Sequence, residues 1–196
     1  MAKRVFFSFH YQDVADFRVN VVRNHWVTKE SREGAGFFDA SIWEDAKKTG
    51  ELALKRLINK ALENTSVTCV LIGSDTYTRP WVQYELIKSI EKNNSIFGIH
   101  INQIKDKDGQ TKASGPNPLD FIALKFNTTG NKAEVLEFRN SRWQEFQLLP
   151  SISFSKIISN LSGKTCKLSD LFVVYDWIAE KGYINFSKWV EVSSPL

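Results

Sequence analysis

Cysteine is nearly missing from this chain. Cys69 and Cys166 are the two among 196 residues, and neither sits in a CxxC pair. Two thiols cannot staple a chain of this length into a disulfide framework. Histidine is as scarce: with only His10, His25 and His100, and no close pairs, no metal centre is expected. No stretch approaches the roughly 18 apolar residues of a membrane span. The opening MAKRVFFSFH has too short an apolar core for a signal peptide. A cytoplasmic protein without a membrane partner is therefore expected. Charge of one sign is also not concentrated anywhere. Residues 1–104 carry 14 basic and 12 acidic side chains and residues 105–196 carry 12 and 10, a net +4 without a basic lobe. Nucleic-acid binders gather positive charge on one face or segment, so no nucleic-acid partner is expected. No G-x-G-x-x-G follows the first apolar run and no G-x-x-x-x-G-K-S/T loop occurs, which argues against a dinucleotide-binding oxidoreductase and a P-loop enzyme. A phosphoacceptor receiver would need acids directly after the first strand and at the end of the third. Phe9-His10 and Gly73-Ser74 stand there instead, with Asp75 one step late.

What is present is an ordinary globular composition, 42% hydrophobic and 24% charged, arranged as strands alternating with amphipathic helices. Val5–Phe9 reads as a first strand. A helical pattern follows, with Asp13 as its N-cap, Asp16 as its first-turn acid, and Val14, Phe17 and Val21 on one face. Gly36–Asp39 reads as a second short strand and Thr49–Asn64 as a helix, with Leu54, Leu57, Ile58, Ala61 and Leu62 at helical spacing. Ser66–Ile72 is apolar at consecutive positions, as a strand buried on both faces should be. Trp81–Asn93, with Pro80 near its start, reads as the next helix and Ser95–Ile101 as the next strand. Such a series implies a parallel sheet with right-handed crossovers.

Beyond residue 101 the pattern changes. Residues 102–118 are loop material. Leu124–Asn127, Glu134–Arg139 and Trp143–Phe146 partly alternate, as a small antiparallel meander does. A helix is expected from a cap at Ser169, with Leu171, Val174, Tyr175 and Ile178 on one side and Gly182 at its end. Phe186–Val190 then reads as a last helical turn. The division expected is a core over 1–104 and an aromatic-rich extension over 105–196, packed on it as one compact unit.

Ligands of open α/β sheets bind at the carboxyl ends of the strands, near the switch in strand order. The residues there are Ser8, Phe9 and His10, then Asp39–Trp43, then Gly73–Asp75. The helix beginning near Pro80 starts beside this rim. On a helical wheel Val82, Leu86 and Ile90 form its buried arc, Tyr84, Lys88 and Glu91 face away, and Trp81 and Glu85 stack on the flank. Glu85 is then a carboxylate at a boundary close to the ligand rim.

Trp81-Val82-Gln83-Tyr84-Glu85 resembles the W-x-x-x-E motif of TIR domains that cleave NAD, and Thr68–Gly73 is similar to the strand preceding it. The opening VFFSFHYQD and the segment DASIWEDAKK of Asp39–Lys48 resemble more specifically the TIR-like sensor subunits of the Thoeris antiphage system, which also carry a C-terminal extension. The resemblance covers nearly the whole chain. It implies a flavodoxin-like, TIR-like α/β fold with a C-terminal antiparallel meander and helix. It also implies an NAD-consuming enzyme, a glycohydrolase and ADP-ribosyl cyclase, which cleaves the nicotinamide–ribose bond and makes a cyclic ADP-ribose isomer as second messenger. NAD enters as substrate, with no further cofactor. A separate effector reached through the diffusible nucleotide, a phage trigger and a homo-oligomer on activation are the partners implied.

On this resemblance Glu85 is the catalytic residue, engaging the ribose hydroxyls beside the carbon that loses nicotinamide. Ser8, Phe9, His10, Trp43, Ser74 and Trp81 are the substrate-binding candidates. Each also has a reading without substrate. Glu85 complements the helix macrodipole, Ser8 bonds the local backbone, Trp81 anchors the helix in the core, and Phe9 and Trp43 are buried like other aromatics. Lys47, Lys48, Lys55 and Arg56 either approach a pyrophosphate or form a solvated face. In ordinary TIR domains an Asp often stands where this chain has Arg4, and Pro-Gly residues are common in the second-strand loop. Here that loop, Ser41–Gly50, has no Pro. The competing reading is a non-catalytic TIR-type interaction adaptor with Glu85 purely structural.

Overall fold

A computed structural model describes residues 3–28, 34–35 and 40–196. The apolar runs form a five-stranded parallel sheet. Its strands are β1 (Val5–Phe9), β2 (Gly34–Ala35), β3 (Val67–Ile72), β4 (Ser95–His100) and β10 (Val174–Asp176), in the spatial order β10-β4-β3-β1-β2. The helices are α1 (Gln12–Ala15), α2 (Arg18–Val27), α3 (Ala40–Thr49), α4 (Glu51–Ala61), α5 (Pro80–Glu91) and α6 (Gly182–Val192). A second, antiparallel sheet is built from β5 (Ile122–Phe126), β6 (Lys132–Arg139), β7 (Arg142–Glu145), β8 (Ser151–Ser153) and β9 (Thr165–Lys167). Its order is β7-β6-β5-β9, with β8 also paired to β6. The expected α/β class and the C-terminal meander are both present. No helix among the described residues is long and apolar enough to cross a membrane.

Successive strand residues point to opposite faces, and the two faces feed two cores. Val5, Phe7, Val67, Cys69, Leu71, Phe97 and Ile99 pack with Val19, Val22 and Trp26 of α2 and Phe186 and Trp189 of α6. Phe6, Val70, Ile72 and Ile96 pack with Ile58 of α4 and with Val82, Leu86, Ile87 and Ile90 of α5. That second core continues without a break into Leu124, Phe126, Ala133, Val135, Phe146 and Ile152 of the meander region. Helix α5 is thus enclosed between two sheets, and Val82 through Ile87, Ser89 and Ile90 are all buried. A helix apolar on most of its circumference needs such a position.

This enclosure corrects the expectation that Tyr84 faces away. Tyr84 is buried, its hydroxyl donates to Asn59 Oδ1 at 3.2 Å, and Lys55 Nζ lies 5.7 Å from its ring centre. Other expectations change as well. Asp13 does not cap a helix: Tyr11 holds the N-cap position of the short α1, and Asp13 lies buried inside it without a side-chain cap bond. Phe17, at a left-handed φ of 64°, separates α1 from α2 and is 52% exposed instead of lining the core. The predicted second strand Gly36–Asp39 lies outside the described residues, and the strand that pairs with β1 is Gly34–Ala35. Most of Ser41–Gly50, expected as a loop, belongs to α3. Gly50, at φ 114°, breaks it from α4, so the helix predicted from Thr49 starts at Glu51.

The largest departure is near the C-terminus. Where a helix capped at Ser169 and ended by Gly182 was expected, the chain forms a 3₁₀ turn at Leu168–Asp170 followed by strand β10. A short apolar run such as Phe172–Tyr175 has no period long enough to distinguish the two. Pairing decides it. Val174 lies opposite Gly98 of β4, and a Cβ on Gly98 would come within 2.9 Å of the Val174 side chain. Gly182 does not end a helix but begins α6, and its N–H donates to Trp177 O at 2.7 Å.

Residues 102–118 cross the carboxyl ends of β3 and β4 as a strap held by Arg18. This fully buried side chain donates to Ile104 O at 2.9 Å and Gln110 O at 2.7 Å, and pairs with Asp16 and Asp106. Lys112 adds an ion pair to Asp16.

Gly182 generates a test. A Cβ there would lie 2.3 Å from the Trp177 ring. Glycine-to-alanine changes inside helices ordinarily stabilise by about 0.5–1 kcal/mol. Here Gly182→Ala is expected to destabilise by about 1–3 kcal/mol, as overpacking does, in urea denaturation. A stabilised variant would contradict the packing described.

Candidate active site

The switch in strand order falls between β1 and β3, and beside it a cleft of about 350 Å³ opens, within the range of small-molecule pockets. One wall is the end of β1, with Phe7, Phe9, His10 and Tyr11. A second is Trp43, Glu44 and Lys47 of α3 with Leu54 of α4. The third is the start of α5, from Arg79 to Val82, with Glu85 one turn deeper.

The local sequence explains how α5 is aimed. Arg79 is extended, at φ −93° and ψ 108°, as a residue before proline must be. Pro80 opens the helix at a position where its missing N–H costs nothing. The turn before it is tied down by Thr76, whose hydroxyl accepts from Gly73 N at 2.9 Å. One turn past Glu85, Ser89 Oγ donates to the Glu85 carbonyl at 2.7 Å and accepts from Thr68 of β3 at 2.7 Å. These bonds hold the helix turn carrying Glu85 against the sheet.

Ser8 of β1 is fully buried, and its hydroxyl donates to Glu85 Oε2 at 2.5 Å. Glu85 itself is 6% exposed, and among the described residues no positive side chain pairs with it. Burial therefore raises its pKa from 4.5 to about 8, and the bond from Ser8 acts in the opposite direction. Near neutral pH these surroundings hold the carboxyl mostly protonated. His10 is pushed below the ordinary histidine range, first by burial and then by the charge of Arg79, so its imidazole is neutral.

Six of the expected site residues meet here. Phe9, His10, Trp43, Trp81 and Glu85 line the cleft, and Ser8 reaches it through Glu85. Trp81 combines both roles considered for it: it borders the cleft, packs at the edge of the core, and meets the Tyr84 ring edge-on at 5.8 Å. Ser74 does not join them. Its hydroxyl bonds Asp75, and the strap passes so close that a Cβ on Gly115 would be 2.5 Å from the Ser74 carbonyl. Asp13 also lies away from the cleft, its carboxyl against Gly73, and burial raises its pKa to about 6. Lys47, one of four basic residues expected either to approach a pyrophosphate or to form a solvated face, lines the cleft, and so does Arg79, which was not among the expected site residues. The signal for Arg79 was its place directly before Pro80, at the rim end of the helix that carries the motif.

Residues 6–106 match the family described as Thoeris protein ThsB, TIR-like domain. A curated relative from Bacillus cereus (strain MSX-D12), named "Putative cyclic ADP-D-ribose synthase ThsB1", is 58% identical over 191 residues, covering 97% of this chain and 100% of the relative.

The state of Glu85 has a consequence for stability. In the unfolded chain the carboxyl loses its proton near 4.5, and in the folded one near 8. Folding takes up a proton across that interval, so stability falls as pH rises through it. Asp13 acts in the same direction, but only up to about 6. Between pH 6 and 8 the melting temperature of the parent protein is therefore expected to fall more steeply than that of Glu85→Gln. Equal slopes would contradict a protonated Glu85.

Proposed function

The chain belongs to the ThsB TIR-like family of Thoeris proteins, and from that premise we propose that it cleaves NAD at this cleft, with Glu85 as the catalytic carboxylate. It is an NAD-consuming cyclic ADP-ribose synthase. The observation that carries the assignment of the site is the single buried carboxyl at the floor of the cleft, held by Ser8.

The chemistry asks little else of the protein. The bond between ribose C1′ and the pyridinium nitrogen breaks, and nicotinamide leaves neutral with the bonding electrons. Being a good leaving group, it needs no acid. The ribose carbon becomes oxocarbenium-like, and a fixed carboxylate in a partly dry site stabilises that charge far better than water does. The pyridinium of bound NAD is itself a nearby cation, which favours the ionised form of Glu85. The substrate thus sets the charge state needed to cleave it. Ser8 keeps one carboxylate oxygen oriented and leaves the other for the ribose hydroxyls.

Phe9, Trp43 and Trp81 supply flat apolar surface for the nicotinamide and adenine rings. Capture of the cation by another part of the same ADP-ribose, with loss of one proton, gives the cyclic product. An enclosed site favours this route because it excludes water and holds the two ends of the molecule together. The released nucleotide then acts on a separate effector in antiphage defence, after a phage component switches the enzyme on. Assembly of several copies on activation fits the same reading.

Nicotinamide release from NAD is expected from the pure protein, or from the protein mixed with lysate of phage-infected cells. Glu85→Gln lowers it by about 100-fold or more, the scale of a lost electrostatic stabiliser, with the melting transition intact. The kcat/KM of the parent rises with pH and levels off above about 8, where the free carboxyl is ionised. Unchanged turnover in a folded Glu85→Gln protein would remove the assignment.

A further inference from the structure

The cleft separates its charges by depth. Its floor is Glu85, largely neutral by virtue of its burial, and His10 on the wall is neutral too. The full positive charges of its lining are Arg79 and Lys47, and both stand at the mouth on opposite walls, one at the start of α5 and the other on α3. Arg79 is exposed, and no carboxylate pairs with it among the described residues. Lys47 has only Glu44, at 3.8 Å, with both side chains more than half exposed. Such a contact is worth little. The mouth therefore carries two cations whose donors are largely unspent, one of them the planar fork that suits phosphate oxygens bidentately.

We propose that Arg79 and Lys47 form a diphosphate clamp across the mouth, making the site selective for a dinucleotide over a nucleoside. The inference rests on the NAD-cleaving reading for its orientation. With the reacting ribose at Glu85, the diphosphate hangs from the 5′ carbon, across the ring from the breaking bond, and so points outward. Arg79 precedes Glu85 by six residues, about 9 Å along a helix axis, which places its guanidinium on the outward side of the same wall. Lys47 closes on the diphosphate from the facing helix, giving up its loose contact with Glu44. The clamp grips a part of the substrate that does not react. It therefore contributes to binding of NAD, ADP-ribose and the cyclic product alike, and little to the bond-breaking step.

The test titrates ADP-ribose into the full chain by calorimetry, for the parent, Arg79→Ala, Arg79→Lys and Lys47→Ala. Both positions are solvent-exposed, and equal melting temperatures confirm intact folds. The expected result is a loss of at least tenfold in Arg79→Ala, a smaller loss in Lys47→Ala and partial recovery in Arg79→Lys. The parent's affinity also falls more steeply with added salt than that of Arg79→Ala, since a charge contact is being screened. Failure of the parent to bind ADP-ribose, or equal affinity and salt dependence in Arg79→Ala, would overturn the clamp. Nicotinamide release, measured separately, tests the enzymatic reading. A protein that binds ADP-ribose through Arg79 yet never releases nicotinamide keeps the clamp and loses the catalytic role of Glu85.

Discussion

The site depends on one contact, the hydroxyl of Ser8 against the carboxyl of Glu85. It joins residues 77 positions apart in the chain, at the end of one strand and inside a helix. Among the described residues no cationic side chain pairs with the carboxyl placed there, and only 6% of the residue is exposed, at the floor of the cleft. Its surroundings penalise the anion, and the lone hydroxyl donor offsets only part of that penalty. The folded protein tolerates the group by keeping it protonated. An arriving cation finds an acid that is already desolvated, oriented and ready to ionise.

That arrangement is a property of the whole chain, not of the parallel sheet alone. A TIR-like sheet with helices on its faces would leave the outer side of α5 in water. Here the antiparallel sheet of residues 122–167 covers that side, and a single apolar core runs from Phe6 through α5 into Phe146 and Ile152. The second sheet thereby dries the helix that carries Glu85. The strap of residues 102–118, anchored by Arg18, occupies the rim over β3 and β4, so the open cleft is confined to the side of β1. Extension and core thus shape the same site from two directions.

The parts legible in the sequence are those with a strong local signal. β1, β3 and β4 are continuous apolar runs, α5 follows a proline, and the meander strands alternate between turn residues. Each was placed to within two or three residues. The motif Trp81–Glu85 was legible as well, and so was the rim position of Ser8 and His10. What could not be read depends on distant partners. Tyr84 faces outward on any wheel that assumes one buried arc, and it is covered where α4 brings Asn59 to its hydroxyl and Lys55 over its ring. Val174 and Tyr175 fit a helix or a strand until Gly98 offers an edge to pair with. Ser74 has the residue type and position of a ligand contact, yet its hydroxyl turns to Asp75 and it is not among the residues lining the cleft. The Ser8–Glu85 bond has no local signature at all.

The central claim is that this buried carboxyl drives cleavage of NAD in a site that closes the product on itself. Mass spectrometry of the nucleotide made from NAD by the full chain, with lysate of phage-infected cells as trigger, tests it most directly. The account predicts a nucleotide one water lighter than ADP-ribose, absent from the Glu85→Gln protein. Linear ADP-ribose as the sole product, or no product under any trigger, would contradict it.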